Sequence, residues 1–156
     1  RLPEAPAAAR DAVAGGVFAE VWPAADAAAR AEALAEAQRA MALPEAAAVF
    51  APEALTEAAV SIDLPGIGRV GGRIDRLRIA DGRVLAVDFK TDAAPPAGPE
   101  AAPEGYLRQL AAYAEALRRL HPGHDIALGL LWTAVPRLDL LPLTALDSAL
   151  ARAAAS

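Results

Sequence analysis

The chain has no cysteine. Disulfides and thiolate metal sites are therefore excluded, and the redox compartment is left open. No apolar run reaches membrane-spanning length, and nothing at the start resembles a signal peptide. No G-x-x-x-x-G-K-S/T stretch occurs, so an ATP-driven motor would have to lie elsewhere. Histidine is scarce. His121 and His124 flank a helix-ending Pro122-Gly123 and lack a third ligand at metal spacing, which suits surface residues better than a metal site. Methionine occurs once, at Met41, so the expectation is a piece of a longer protein. Lysine also occurs once. Of 15 Lys plus Arg, Lys90 is the only lysine.

What is present suits one globular domain. A length of 156 residues is enough for a real core, with 55% hydrophobic and 22% charged residues. A formal net charge of −5 argues against a free-standing, non-specific nucleic-acid binder, which would normally be basic. It leaves room for a catalytic module whose substrate is delivered by a neighbouring part. Residues 1–53 read as an alanine-rich, helical N-terminal part, and residues 54–156 as a sheet-bearing core.

The most informative stretch is Gly72 to Thr91. Two runs of branched residues flank Asp81-Gly82, a strong signal for a two-residue type I′ hairpin turn. Such a turn pairs Ala80 with Arg83. Counting outward, Asp75 then stands opposite Asp88 in a non-hydrogen-bonded pair. Asp88 and Lys90 are two apart and share a strand face. Like charges directly opposite destabilise a sheet. A bound divalent cation, Mg²⁺ or Mn²⁺, would explain their place, because oxygen-rich sites suit those ions. A solvated strand end is the plain alternative. The lone lysine beside two acids speaks for chemistry: lysine is a compact, titratable point charge that arginine does not replace.

In chain order, Pro23 suits the first turn of a helix over 24–42. Val17, Phe18, Val21 and Trp22 form an apolar patch expected to pack on something. A short helix is expected from Glu45 to Phe50. Residues 54–63 read as a first strand, about 69–79 as a second and about 83–90 as a third. Glu57 falls on the first strand, as an accessory acid beside the hairpin or as an exposed edge charge. Residues 92–103 form a proline-rich loop expected to be mobile. A helix follows over 103–120 with a core stripe that includes Tyr106 and Tyr113. Gln109 and Tyr113 are helix-surface neighbours that either mark the core edge or face the hairpin. Residues 126–133 read as a buried strand, 137–141 as a short further strand and 143–154 as a closing helix.

The resulting order is α-β-β-β-α-β, an α/β (α+β) fold with a mixed sheet flanked by helices. Three motifs carry a resemblance: Gly72-Arg73-Ile74-Asp75-Arg76-Leu77, then Val87-Asp88-Phe89-Lys90-Thr91, then Gln109-Leu110-Ala111-Ala112-Tyr113. They resemble the motifs of RecB-like nucleases in the PD-(D/E)XK superfamily, which have a restriction-endonuclease-like core. With Leu130-Leu131-Trp132-Thr133, the chain looks most like the C-terminal nuclease domains of the AddA type. Those belong to bacterial helicase–nuclease subunits that process double-strand breaks.

The resemblance implies hydrolysis of DNA phosphodiester bonds and a cytoplasmic, bacterial setting. It implies Mg²⁺, with Mn²⁺ an alternative, held by Asp75, Asp88 and the Phe89 backbone carbonyl, with Glu57 accessory. Lys90 would position or activate the attacking water, and Gln109 and Tyr113 would complete the pocket. Implied partners are DNA, N-terminal helicase domains of the same polypeptide that would use ATP, and a partner helicase–nuclease subunit; no membrane is implied. One departure stands out. The family usually has a histidine ligand on an upstream helix, and no histidine precedes His121. A catalytically inactive fold that binds DNA or assembles subunits is the alternative, disfavoured by the intact Asp75, Asp88 and Lys90.

Overall fold

The structure, a computed structural model, describes residues 2–155. Residues 1 and 156, the outer bounds of the two expected regions, lie outside the described residues. Two helices come first, α1 (Arg10–Val21) and α2 (Ala27–Met41). Three antiparallel strands follow: β1 (Leu55–Leu64), β2 (Gly68–Ala80) and β3 (Arg83–Lys90). Helix α3 (Glu104–Leu120) carries the chain to β4 (Asp125–Trp132), which lies parallel to β3. Strand β5 (Arg137–Leu140) returns antiparallel to β4, and α4 (Leu143–Ala154) closes the fold. The sheet order is β1-β2-β3-β4-β5, mixed, with helices on both faces. The expected α-β-β-β-α-β order is present, extended by β5 and α4.

The turn sets the register. Asp81 and Gly82 have φ of 53° and 72°, the two positive values a type I′ turn requires. Pairing runs from Ala80 opposite Arg83 to Arg76 opposite Val87, as the turn demands. Strands β3 and β4 are buried on both faces, which explains their near-continuous apolar runs. Val84, Ala86, Leu128 and Leu130 pack toward α3 and α4, against Leu110, Leu117 and Leu146. Val87 and Leu131 pack on the other face, against Ala40, Ala46 and Val49.

The N-terminal part departs from expectation in three ways. Helix α2 starts at Ala27, not near Ala24, because Asp26 caps it: its carboxylate accepts the Ala29 N–H at 2.8 Å. A carboxylate satisfies an orphan donor of the first turn, which Pro23 has no group to do. The expected Glu45–Phe50 helix is a single 3-10 turn, Pro44–Ala46, followed by turns. The apolar patch is only partly covered. Phe18 meets Trp22 edge-on, yet Val17, Val21 and Trp22 remain 47%, 69% and 44% exposed. Among the described residues, no helix is long and apolar enough to cross a membrane.

The loop after β3 is pinned. Arg137 Nη2 donates to the Pro96 carbonyl at 2.6 Å, and Gly98 is buried. Arg137 itself forks onto Asp139, through Nε at 2.9 Å and Nη2 at 2.8 Å. The buried Asp139 also accepts the Trp132 indole N–H at 2.8 Å. Asp139→Ala would strand both donors. The expected cost is about 2–3 kcal/mol of unfolding free energy, read from urea denaturation. Asp139→Asn, which keeps one acceptor, should cost less.

Candidate active site

Strand alternation breaks at Asp75. Ile74 and Leu77, three residues apart, both enter the core on the α3 side. A regular strand with period two cannot place both there. Between them, the buried Arg76 turns to the opposite face. It bonds Glu4 at 2.8 Å, and its guanidinium lies 5.6 Å from the Phe50 ring centre. The β2–β3 ladder ends at Arg76 and Val87. Beyond it, the Asp75 carboxylate, rather than a strand carbonyl, accepts the Phe89 N–H at 2.6 Å. On β1, Thr56–Arg76 and Ala58–Ile74 bracket Glu57 opposite Asp75, and Glu57 has a left-handed φ of 52°. The two strands therefore part at Asp75 and open a fork.

The far prong of the fork carries Asp88 and Lys90 on one face. Lys90 Nζ lies 2.6 Å from Asp88 Oδ2. Helix α3 brings Gln109 onto both: its Nε2 donates to Asp88 Oδ1 at 2.9 Å, and its Oε1 accepts from Lys90 Nζ at 3.1 Å. The amide thus meets the carboxylate with its donor end and the ammonium with its acceptor end, the orientation its chemistry requires. One helical turn on, Tyr113 accepts from Gln109 at 3.2 Å and donates to the Arg73 carbonyl at 3.0 Å. Tyr113 rests on Gly72, where an added Cβ would stand 2.4 Å from the phenol oxygen. Only glycine allows that approach.

Of the expected residues, the fold therefore assembles Asp88, Lys90, Gln109 and Tyr113 directly, with Asp75 across the fork through the Phe89 N–H. Glu57 is different. It is exposed and pairs loosely with Arg73 at 3.9 Å. Its charge acts on Asp75, but no hydrogen bond joins them among the described residues.

The Asp75 carboxyl is pushed above its ordinary range, first by burial, then by the charges of Asp88 and Glu57. The Phe89 N–H and Lys90 oppose that rise. Burial, more than like-charge repulsion, is the leading cause. Among the described residues no three acids or histidines form a ready metal cluster. The donor chemistry still fits a divalent ion. Two hard carboxylates, Asp75 and Asp88, flank one fork, and the charge of Asp88 acts on Asp75.

Neighbours not picked out as site residues complete the surroundings. Thr133 donates its N–H to the Lys90 carbonyl at 2.9 Å, and its hydroxyl bonds Glu36 of α2. Tyr106 lies over Lys90, and its hydroxyl bonds Asp92 at 3.1 Å, which pushes the phenol's ionisation upward. The helical spacing of Tyr106 from Gln109, three residues, was the available signal.

A family model described as the PD-(D/E)XK nuclease superfamily matches residues 1–153. The chain belongs to the PD-(D/E)XK nuclease superfamily. The mixed five-stranded sheet with its four helices agrees with the restriction-endonuclease-like fold of this superfamily. PD-(D/E)XK nucleases typically use divalent metals. No curated protein matches this chain. Among solved structures, the crystal structure of SSO0001 is similar at a TM-score of 0.44 and 17% identity, over 80% of this chain. The match spans 59% of that protein's chain.

The raised Asp75 carboxyl gives a pH test on this PD-(D/E)XK domain. A group whose folded pKa is raised contributes stability at low pH that is lost as pH rises through that pKa. With chelator present, Asp75→Asn should therefore melt a few degrees above the parent near neutral pH. Its amide oxygen still accepts the Phe89 N–H. The advantage should vanish below the ordinary carboxylate value of 3.8. A variant less stable at neutral pH would show the carboxylate to be purely structural.

Proposed function

We propose that this chain is a metal-dependent nuclease domain that hydrolyses DNA phosphodiester bonds. The ring of Asp88, Lys90 and Gln109 facing Asp75 across an opened strand pair carries this reading. Stability alone gives no reason to gather these groups. A buried ion pair is weak evidence of stabilisation, and two facing carboxylates oppose it.

Asp75 and Asp88 would hold a divalent ion, Mg²⁺ or Mn²⁺, together with the Phe89 main-chain carbonyl and with Glu57 as an outer acid. When bound, that ion supplies Lewis acidity and neutralises phosphate charge. The chain's own residues do the remaining work. Lys90 orients the attacking water and meets the negative charge that builds on the phosphate oxygens. Gln109 holds the Lys90 and Asp88 side chains in one geometry, so little reorganisation is needed as the reaction proceeds. Tyr113, locked between Gln109 and the Arg73 carbonyl, fixes Gln109 in turn.

The motifs Gly72–Leu77, Val87–Thr91 and Gln109–Tyr113 support a RecB-like domain of the AddA type within this superfamily. In that reading the domain trims DNA ends in a helicase–nuclease complex during recombinational repair, in the bacterial cytoplasm. Neighbouring helicase domains of the same polypeptide would supply ATP-driven movement, and a partner helicase–nuclease subunit would complete the complex. The family's usual upstream histidine is not in this chain, so its oxygen ligands alone would give weaker metal affinity.

The test is DNA cleavage by the protein that carries this chain, at millimolar Mg²⁺ or Mn²⁺. Asp88→Ala and Lys90→Ala should each lose roughly 10²–10³-fold or more of the rate while keeping the parent circular dichroism. Lys90→Arg should not rescue, because a planar fork does not replace a compact ammonium. Cleavage retained in both alanine variants would overturn the assignment.

A further inference from the structure

An ammonium group has three N–H donors. At Lys90 two are met by oxygens, Asp88 Oδ2 at 2.6 Å and Gln109 Oε1 at 3.1 Å. On a further side lies an aromatic ring: Nζ stands 4.0 Å from the centre of the Tyr106 ring. The negative face of an aromatic ring attracts a cation at that range.

Tyr106 is itself held on two sides. Its hydroxyl donates to the Asp92 carboxylate at 3.1 Å, on the loop directly after β3. Its ring packs tilted against Trp132, with centres 6.1 Å apart. Trp132 is 1% exposed, and its indole N–H is fixed on Asp139. A half-buried ring, backed by the buried Trp132 and tethered at its exposed hydroxyl, thus presents one aromatic face to the lone lysine.

We propose that Tyr106 is a positioning residue for Lys90, an aromatic rest that keeps the ammonium aimed into the fork independently of Asp88. The geometry stands by itself; its kinetic consequence rests on the nuclease reading. The need for such a rest follows from the double duty of Asp88. The same carboxylate pairs with Lys90 and would be drawn on by a divalent ion. A lysine stem has four rotatable bonds and wanders when an anchor is withdrawn. The ring face offers attraction that does not depend on any carboxylate. Asp92 and Trp132 set the ring's tilt, so that it does not swing aside.

Because Lys90 is the only lysine of this chain, lysine-selective ¹³C labelling of the chain reports on it alone. Its Hε protons should resonate upfield of free lysine in the parent and in Tyr106→Phe, which keeps the ring. In Tyr106→Leu they should return to the free value. Asp92→Asn should shrink the upfield shift without abolishing it. In DNA cleavage, Tyr106→Leu should lower kcat roughly ten- to hundredfold with KM little changed, the usual effect of a misplaced catalytic group. Tyr106→Phe should keep most of the parent kcat.

A parent Lys90 signal without a ring-current shift would overturn the proposal, and this needs no variant to fold. So would a rise in KM alone, which would make Tyr106 a stacking contact for a nucleotide base. Equal damage from phenylalanine and leucine would also overturn it, by assigning the effect to the hydroxyl. A ring-current shift in a parent protein that cleaves no DNA would leave the positioning in place and remove the nuclease reading instead.

Discussion

The hydrogen bond from the Phe89 N–H to the Asp75 carboxylate is the constraint from which the site follows. In an unbroken hairpin that N–H would serve the facing strand. Here a side chain takes its place, and β2 and β3 separate at that point. The separation turns Arg76 to the outer face, where Glu4 and Phe50 receive it. It also leaves the Asp75 carboxylate half-buried and facing Asp88.

The rest of the fold supports that opening with paired polar groups. The two charged side chains on β3 are matched: Asp88 has Lys90 and Gln109, and Lys90 has Asp88, Gln109 and the Tyr106 ring. Burying charge is tolerable only when such partners exist. Behind them lie further buried supports, Tyr113 on Gly72 and Trp132 on Asp139. The outer helices are tied more loosely. Glu104 of α3 bonds Arg152 of α4 at 2.7 Å, and that bond and the one from Arg108 pull its carboxyl down to about 2. The pair lies at the surface, where water and salt screen it.

Local rules account for what was legible in the sequence. The Asp81-Gly82 turn determines pairing as far as Arg76 and Val87. Strand alternation puts Asp88 and Lys90 together, and helical spacing puts Gln109 beside Tyr113. These rules need only neighbours in the chain. What escaped them is set by distant partners. Asp75 was expected to face Asp88 across an intact ladder, but its carboxylate serves Phe89. Glu57 adopts a left-handed backbone that no residue preference announces. The proline-rich loop, expected to be mobile, is fastened by Arg137, forty-one residues beyond Pro96. Tyr106 fits the core stripe of its helix, as read, yet its face also receives an ammonium, because Lys90 arrives from another element.

The opened strand pair is proposed as a divalent-metal site. Anomalous diffraction from crystals grown with Mn²⁺ tests it most directly. A metal site there gives a peak in the fork, bonded to carboxylate oxygens of both Asp75 and Asp88 at about 2.0–2.3 Å, and absent from Asp88→Asn crystals. No peak at millimolar Mn²⁺, or a peak that persists in Asp88→Asn, would contradict it.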